Sequence, residues 1–233
     1  LLTEAHGIPS SAYGFVPVLL TAKKLRKIGH IINKENYIKH DFEYNVTKFG
    51  QMIDDGGFLL TNLRALVNDI GLEASKEFYN TDENEIAIIK KHFKVFKHKM
   101  DIRSARQFMR HTTAVWQELS RRYVSGKKVP FEFYIKENIK EIYSYYTEQN
   151  ETISLYTEEI IDICVQHYYK LIEEGIKPQD ARDILPLCTY TEIWSGWQPF
   201  ALENMLTERT AIGTQWELRQ TALAIKDLIN ENI

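Results

Sequence analysis

The stretch HFKVFKHKMDIRSARQFMRHTTAVWQELSRRY, residues 92–123, decides how the middle of the chain folds. His92–Lys99 is predicted to form a short strand, with Phe93 and Val95 on one face and Lys94 and Phe96 on the other. Asp101 follows, and its carboxylate can accept the free N–H groups of a helix start, which predicts a helix to about Arg110. A strand that leads into a helix favours the α+β class, in which helices pack against a sheet.

Toward the N-terminus, hydrophobic spacing and turn residues predict further strands and helices. Pro17 cannot donate to a strand ladder, so the apolar run around it predicts an edge strand or a strand start. The predicted elements are a strand over Phe15–Leu20, a helix over Ala22–Ile32, a hairpin of Phe42–Phe49 and a strand from Phe58 joined by a turn at 54–57, and a helix over Leu63–Ile70 that Thr61 or Asn62 caps and Gly71 ends.

Toward the C-terminus, helical patterns predominate. Gly175 is typical of a helix end, and Pro178 is typical of the first turn of the next helix. The last third, from Ala201 onward, is predicted to be mostly helical. The predicted buried stripe before Gly175 comprises Ile160, Ile163, Cys164, Tyr168, Leu171 and Ile172.

The composition excludes several classes of protein. The chain has 233 residues, of which 44% are hydrophobic, so it can bury a sizeable core. Its 29 Lys and Arg nearly balance its 32 Asp and Glu, whereas proteins that coat nucleic acids usually carry a basic excess. No apolar run reaches the roughly 18 residues of a membrane span, and residues 1–30 lack the order of a signal peptide. We therefore expect a cytoplasmic protein with neither nucleic acid nor membrane partners.

Familiar catalytic and metal-binding motifs are absent from the sequence. It contains neither of the glycine-rich phosphate loops and no serine-hydrolase elbow. The histidines form no metal-ligand spacing, so no metal is expected, and His92 and His98 are predicted to lie on the surface of a lysine-rich strand. Cys164 and Cys188 are predicted to be free thiols.

Arginines form the densest polar cluster. On a helix Arg103, Arg106 and Arg110 share one face with Gln107, and no acid stands at matching steps, so an anion is expected to bind there. Arg121 and Arg122 follow, and the planar arginine fork suits phosphate. A solvated basic face with salt bridges between subunits is the alternative.

Two further arginines lie in apolar surroundings and should be paired or bound to a ligand. They are Arg182 and Arg209, and salt bridges to Asp183, Glu203 or Glu217 would also satisfy them. Trp194, Trp197 and Trp216 either fill the core or stack on a ring-shaped ligand.

The arginine-rich segment resembles the flavin-dependent thymidylate synthase family. That family's signature is R-H-R-x7-S-x-R-Y, and the matching residues are Arg110, His111, Thr112, Ser120, Arg122 and Tyr123. The stretch FEFY at 131–134 and the block over 181–225 extend the resemblance, which runs from about His92 to Ile229. The N-terminal part is less similar: residues 40–72 resemble an insert, and the family's first strand and helix are expected upstream of Leu1 or absent.

The resemblance implies a single α+β domain over residues 1–233, with a small mainly antiparallel sheet, packed helices and a helical C-terminal third. It also implies reductive methylation of deoxyuridine monophosphate (dUMP) to dTMP, with FAD as cofactor and with NADPH and methylenetetrahydrofolate (the folate partner) as co-substrates. A homotetramer with active sites shared between subunits is implied as well.

The resemblance assigns roles to residues of both conserved blocks. Ser120 and Arg209 are implied as catalytic, with Ser120 near the reacting ring. The implied dUMP-binding residues are Gln107, Arg110, Glu118, Leu119, Ser120, Arg121, Arg122, Arg182 and Arg209. The implied FAD-binding residues are Arg110, His111, Thr112, Glu118, Gln198 and Asn204.

Several positions depart from the family pattern on the flavin side. Thr112 stands where an Arg is normal, Gln198 where an Asn is usual, Phe200 where an Arg is common, and Gly213 where a His often lies. These departures leave two alternatives open: a variant C5 hydroxymethylase or methylase of pyrimidine nucleotides, and a catalytically silent nucleotide-binding homologue that lost FAD. A single-strand nucleic-acid binder is a further alternative, which the acidic balance disfavours.

Overall fold

The computed structural model describes residues 16–31, 51–53, 58–79, 82–122, 124–140, 143–148 and 151–231. The chain is α+β, with small sheets and many helices, as the sequence predicts. It divides into two compact units. Unit 1 comprises Leu1–Phe96, His111–Gln117 and Trp194–Ile233, and unit 2 comprises Lys97–Arg110 and Glu118–Ile193. The single domain over residues 1–233 stays a prediction.

The first sheet belongs to unit 1 and is antiparallel. Its strand order is β1 (Pro17–Leu20), β3 (Phe58–Asn62), β2 (Gln51–Ile53). Pro17 opens β1 at an edge of this sheet, where a missing N–H costs little, and this confirms the edge-strand prediction. The predicted strand from Phe58 is confirmed as β3. The other parts of the predicted hairpin, Phe42–Phe49 and the turn at 54–57, lie outside the described residues.

Side chains cap the helices that follow these strands. Asn62, rather than Thr61, caps α2 (Leu63–Ile70): its Oδ1 accepts the backbone N–H of Ala65 at 3.0 Å. Gly71 follows α2 with a φ of 80°, a conformation that side chains disfavour. Both predictions for α2 are thereby confirmed.

The remaining elements of this part of unit 1 enclose its core. They are α1 (Ala22–Ile31), α3 (Leu72–Ser75), a 3₁₀ turn (Lys76–Phe78) and α4 (Glu83–His92). An ion pair of 2.8 Å between Lys24 and Glu85 links α1 to α4. The core side chains are Val16, Val18, Leu19, Leu20, Leu25, Ile28, Leu60, Leu63, Leu66, Phe78 and Ile89.

The second sheet carries the strand predicted at His92–Lys99. Its order is β4 (Lys94–Asp101), β8 (Tyr190–Trp197), β5 (Val115–Glu118), and the two ends of each strand belong to different units. The predicted strand thus begins and ends two residues later, as β4. Neither β5 nor β8 was predicted from the sequence.

Helix α5 (Ile102–Phe108) starts at the predicted cap. Asp101 accepts the backbone N–H of Ser104 at 3.1 Å and its hydroxyl at 2.6 Å. Because α5 ends at Phe108, the prediction that Arg110 shares a helical face with Arg103 is wrong. Arg103 also has an acid nearby, since its Nε lies 3.4 Å from Asp101 Oδ1. The prediction of a face without a neutralising acid is therefore wrong at Arg103.

Unit 2 continues with a hairpin and a long helix. The antiparallel strands β6 (Tyr143–Glu148) and β7 (Glu151–Tyr156) lead into α7 (Thr157–Glu173). Ile161 and Tyr168 are the buried residues of α7, while Ile163 is exposed, so the predicted stripe is wrong at Ile163. The short α6 (Glu137–Lys140), α8 (Pro178–Ala181) and a 3₁₀ turn (Arg182–Ile184) complete this unit.

Unit 1 closes with two helices, α9 (Pro199–Thr210) and α10 (Trp216–Asn230). They confirm the predicted helical C-terminal third. Leu218, Ala222 and Ile225 form the buried face of α10. In the described part of the chain, no helix has both the length and the apolar character that crossing a bilayer demands.

His98, on β4 in unit 2, is buried, so its predicted surface position is wrong. Lys97 and Lys99 point outward, which places His98 and Met100 together on the inward face. The imidazole packs edge-on against Phe108, with ring centroids 5.2 Å apart. Burial strips water from the charged form and lowers the pKa of His98 from 6.5 to about 4.

We expect His98 to make the stability of the protein depend on pH. Between pH 6.5 and about 4 the unfolded chain binds a proton at His98 and the folded chain does not, so stability is lost as the pH falls. From about pH 7 to about pH 5 this should cost about 2 kcal/mol of unfolding free energy. Urea unfolding of the parent and of His98→Gln at both pH values measures the difference.

The matched control is His92→Gln, a half-buried histidine at the end of α4. It should keep the full pH dependence of the parent. A His98→Gln variant that loses as much stability as the parent on acidification would contradict the assignment.

Candidate active site

The predicted site residues fall into both units. Unit 2 contains Gln107, Arg110, Glu118, Leu119, Ser120, Arg121, Arg122 and Arg182. Unit 1 contains His111, Thr112, Gln198, Asn204 and Arg209.

In unit 1, Arg209 and His111 form a direct pair across 98 residues of sequence. The Nε of Arg209 donates to Nε2 of His111 at 2.8 Å. A ring nitrogen that accepts carries no proton, so the imidazole is neutral with its hydrogen on Nδ1. Glu208 Oε2 lies 3.9 Å from that Nδ1, beyond direct hydrogen-bond length. The imidazole therefore holds the guanidinium in place without cancelling its charge.

The environment of His111 favours the neutral form. The side chain is only 7% exposed. Burial is the main cause that lowers its pKa, the positive charge of Arg209 lowers the pKa further, and Glu208 opposes both. At neutral pH the pair thus carries the single positive charge of Arg209.

Two tryptophans hold the backbone and ring of His111. Trp116 Nε1 donates to the carbonyl oxygen of His111 at 3.0 Å. The Trp197 ring is completely buried and lies 5.2 Å from that of Trp116 and 6.0 Å from the imidazole, centroid to centroid. The sequence left open whether the tryptophans fill the core or stack on a ligand. Trp197 lies in the core, whereas Trp194 and Trp216 are 43% and 61% exposed.

The salt bridges considered for Arg209 are not formed. Glu217 accepts from Gln215 Nε2 at 2.9 Å instead, and Glu203 lies exposed on α9. Among the described residues no carboxylate pairs with Arg209, which is half-buried on α9. A half-buried cation without a counter-charge is a group that an anionic ligand would satisfy.

Two residues of the predicted flavin set, Gln198 and Asn204, lie at the start and in the middle of α9. Gln198 precedes α9, but its side chain does not cap the helix. Asn204 Nδ2 donates to Glu208 Oε1 at 3.3 Å, so its amide oxygen is left as an acceptor. Thr112 is exposed, and Phe200 is 78% exposed on the first turn of α9.

In unit 2, the segment that carries Ser120 and Arg122 leaves the end of β5. The backbone N–H of Leu119 donates to the Glu192 carbonyl at 2.8 Å, and Ser120 O accepts the N–H of Val124 at 3.1 Å. Arg122 and Glu118 are exposed, whereas the half-buried Arg121 turns toward the protein. The exposed Gln107 and Arg110 lie at the end of α5, where the N–H of Arg110 donates to Gln107 O at 3.3 Å.

Arg182 starts the 3₁₀ turn after α8. Its Nε donates to the Gln179 carbonyl at 3.1 Å, and the alternative salt bridge to Asp183 is not formed. The rest of the guanidinium is left for other partners, since no acid of the described residues pairs with it. Pro178 opens α8 at the first helical position, as predicted.

Glu208, Trp116 and Trp197 were absent from the predicted site. The spacing of Asn204 and Glu208 by four residues on a helix was a usable signal for their contact. No local signal links Trp116 to the His111 backbone, because the contact depends on how the turn after α5 folds.

A pocket of about 410 Å³ in unit 1 contains none of the predicted site residues. Its lining residues are Lys91, Lys94, Pro199, Leu202, Glu203, Leu206, Thr207, Thr210, Lys226 and Ile229.

Comparison with known proteins identifies the family. Residues 88–233, more than half of the chain, match the model of the family described as thymidylate synthase complementing protein. The chain belongs to this family. The resemblance drawn from the R-H-R-x7-S-x-R-Y signature is thereby confirmed.

Several curated relatives are similar along much of the chain. The flavin-dependent thymidylate synthase of Thermotoga neapolitana is 29% identical over 190 residues, which cover 78% of this chain and 86% of that protein. The enzyme of the same name from Thermus thermophilus is 33% identical over 161 residues, or 66% of this chain and 56% of that protein. The flavin-dependent thymidylate synthase of Aquifex aeolicus is 33% identical over 137 residues, which cover 54% of this chain and 41% of that protein. The matches thus span about half of the last two relatives.

Proposed function

We propose that the protein converts dUMP to dTMP by reductive methylation. Methylenetetrahydrofolate supplies the methylene group, NADPH supplies the two reducing electrons, and FAD is the cofactor. Family membership and the names of the relatives support this proposal. The observation in this chain that carries it is the Arg209 guanidinium, which has no carboxylate partner among the described residues and is oriented by a buried, neutral histidine.

The charge of the nucleotide explains why arginines are used. A phosphomonoester carries about 1.5 to 2 negative charges at neutral pH and offers three strong acceptor oxygens. Arginine donates two parallel hydrogen bonds to such a group. We assign anchoring of the nucleotide to Arg122, Arg182 and Arg209, with Ser120 close to the reacting ring. Gln107, Arg110, Glu118, Leu119 and Arg121 complete the binding set.

The described residues around α9 fit an anionic, ring-bearing cofactor. Because the Gln198 side chain does not cap the helix, the N–H groups of Phe200 and Ala201 are left for a ligand anion. The exposed Phe200 ring offers a stacking surface, and the Asn204 amide oxygen offers an acceptor. We assign FAD binding to Arg110, His111, Thr112, Glu118, Gln198 and Asn204. Flavin, when bound, supplies the redox chemistry.

The protein's own residues contribute position and charge. Neutral His111 keeps Arg209 aimed and leaves the positive charge undiminished, and it uses no proton of its own in doing so. Placement of this kind lowers the barrier by fixing the reacting groups before the reaction. We further propose a homotetramer with shared active sites, as the resemblance implies.

A product analysis tests the proposed reaction. The purified protein is incubated with dUMP, methylenetetrahydrofolate, NADPH and FAD, and the nucleotides are separated and weighed by mass spectrometry. We expect dTMP that disappears when the folate, NADPH or dUMP is omitted. A product heavier by one oxygen would favour the hydroxymethylase instead. Protein that binds dUMP but stays colourless after incubation with FAD would favour the silent homologue.

We expect Arg182→Ala to weaken dUMP binding about 10-fold, which corresponds to about 1.4 kcal/mol. This loss of binding free energy lies at the low end of the range for a hydrogen bond to a charged group, because Arg182 is only half-buried and its Nε already donates to the Gln179 carbonyl. Isothermal titration calorimetry with dUMP measures the change.

Lys177→Ala is the control for Arg182→Ala, since it removes an exposed cation just before α8. It should bind dUMP as the parent does. Equal affinity of Arg182→Ala and the parent would remove Arg182 from the nucleotide site.

A further inference from the structure

The segment after Ser120 is closed into a loop by a single side chain in unit 2. Arg121 Nη1 donates to the carbonyl oxygen of Val129 at 2.6 Å, and Nη2 donates to that of Pro130 at 3.4 Å. The guanidinium carbon lies 4.8 Å from the centroid of the Phe131 ring. Arg121 thus ties the first residue of the segment to its last three. We call residues 121–131, of which Tyr123 is not described, the 121–131 loop.

The middle of the 121–131 loop is docked on α7 at Gly126. The backbone N–H of Gly126 points at Tyr168 Oη, 3.4 Å away. A Cβ at this position would lie 2.5 Å from a ring carbon of Phe131 and 2.7 Å from Tyr169 Oη, so a larger residue would force the loop or these side chains to shift. The Phe131 ring packs edge-on against that of the buried Tyr168, with centroids 4.8 Å apart. Glycine permits this close approach.

We propose that Arg121 is a positioning residue, which acts on the nucleotide through the 121–131 loop rather than through its own charge. Its two terminal nitrogens donate to two carbonyls of the loop and its guanidinium faces a ring of the loop, while the neighbouring Arg122 is exposed. We call the contacts of Arg121 with Val129, Pro130 and Phe131 the clamp. Ser120 and Arg122 flank Arg121 directly, so the clamp fixes the backbone from which both side chains project. The inference rests on the proposed function for the nucleotide and on geometry for the clamp.

The chemistry of the clamp separates it from a phosphate contact. A phosphate ligand works through charge and paired hydrogen bonds, and lysine preserves only the charge. A clamp on two adjacent carbonyls and a ring face needs the planar fork, which lysine lacks. Gly126→Ala therefore distinguishes the two roles, because it disturbs the loop and leaves the Arg121 guanidinium unchanged.

Tryptic cleavage reports on the clamp directly, because the exposed Lys127 and Lys128 lie within the loop. Cleavage after these residues, mapped by mass spectrometry on the full chain under native conditions, follows the open population of the loop. We expect Arg121→Lys and Arg121→Ala each to raise the cleavage rate about 10-fold. Gly126→Ala should also raise the cleavage rate about 10-fold, with every charge intact, because its Cβ pushes the backbone at residue 126 away from Phe131 and Tyr169.

Titration with dUMP reports on the positioning role. Arg121→Lys should weaken dUMP binding about 10-fold, as much as Arg121→Ala does, and Gly126→Ala should match both. Arg26→Ala removes an exposed arginine of α1 and should leave cleavage and affinity unchanged. Far-ultraviolet circular dichroism confirms that each variant is folded.

Either readout can overturn the inference. Parent-like dUMP affinity in Arg121→Lys or in Gly126→Ala, together with a loss in Arg121→Ala, would make Arg121 a direct phosphate ligand. Unchanged cleavage in all three variants would show that no clamp exists. A parent that does not bind dUMP would defeat the proposed function and the positioning role, whereas the clamp would still be decided by the cleavage rates.

Discussion

Arg209→Ala should bind dUMP about 100-fold more weakly than the parent, a loss of about 2.7 kcal/mol. The expected effect exceeds that of Arg182→Ala because Arg209 is buttressed: its Nε donates to a buried histidine at 2.8 Å, which orients the two terminal nitrogens. A preorganised donor pair gives up little conformational freedom on binding. Isothermal titration calorimetry with dUMP on the full chain gives the ratio of dissociation constants.

Arg219→Ala is the matched control for Arg209→Ala. Arg219 is also half-buried in unit 1 and its Nε also donates to a protein acceptor, the Thr210 carbonyl at 3.0 Å. It stands outside the proposed binding set, so its removal should change dUMP affinity less than twofold. If both variants lost affinity equally, a general loosening of the C-terminal helices would explain the result and Arg209 would have no special role.

His111→Gln gives a second check on Arg209. The glutamine oxygen can accept from Arg209 Nε as the imidazole does, so much of the dUMP affinity should survive. His111→Leu removes the acceptor and should lose more. We expect dUMP affinity to fall in the order parent, His111→Gln, His111→Leu, Arg209→Ala. The histidine variants progressively loosen the orientation of the Arg209 charge, and Arg209→Ala removes the charge itself.

Local chemistry in the sequence was sufficient to predict the helix caps. Asp101 and Asn62 bond to backbone groups three residues further on, so the signal and the contact lie within one turn. Gly71 and Gly175 have positive φ for equally local reasons. Residues of this kind are predictable because their partners are sequence neighbours.

Contacts between distant segments were beyond local patterns. His98 looked like a surface residue on a lysine-rich strand, whereas it is buried and packs against the ring of Phe108. The strand β8 pairs with two strands that lie far from it in sequence, and nothing within Tyr190–Trp197 specifies such partners.

The candidate site shows the same division between local and distant information. The family signature points to Arg110, His111, Ser120 and Arg122, which are all close together in the sequence. The pairing of His111 with Arg209 joins residues 98 positions apart, and the commitment of Arg121 to Val129 and Pro130 depends on the path of a loop. The sequence could therefore name the residues but could not separate those that face a ligand from those that hold the backbone.

Trp197→Ala should cost about 3 to 5 kcal/mol of unfolding free energy, the range for truncating a large aromatic side chain in a core. Trp197 is completely buried and packs edge-on against Trp116 at 5.2 Å, so alanine would leave a cavity between β8 and β5 residues of unit 1. Trp194, three residues earlier on the same strand, is 43% exposed and points to the other face. Trp194→Ala should therefore cost only about 1 kcal/mol or less.

Urea unfolding followed by circular dichroism measures both tryptophan variants without relying on tryptophan fluorescence. The two substitutions remove the same atoms from the same strand, so the difference between them isolates burial. Because Trp197 packs against Trp116, which holds the His111 backbone, Trp197→Phe should also retain more dUMP affinity than Trp197→Ala. Equal losses of stability for Trp197→Ala and Trp194→Ala would mean that β8 does not present Trp197 to the core, and the support described for His111 would then be wrong.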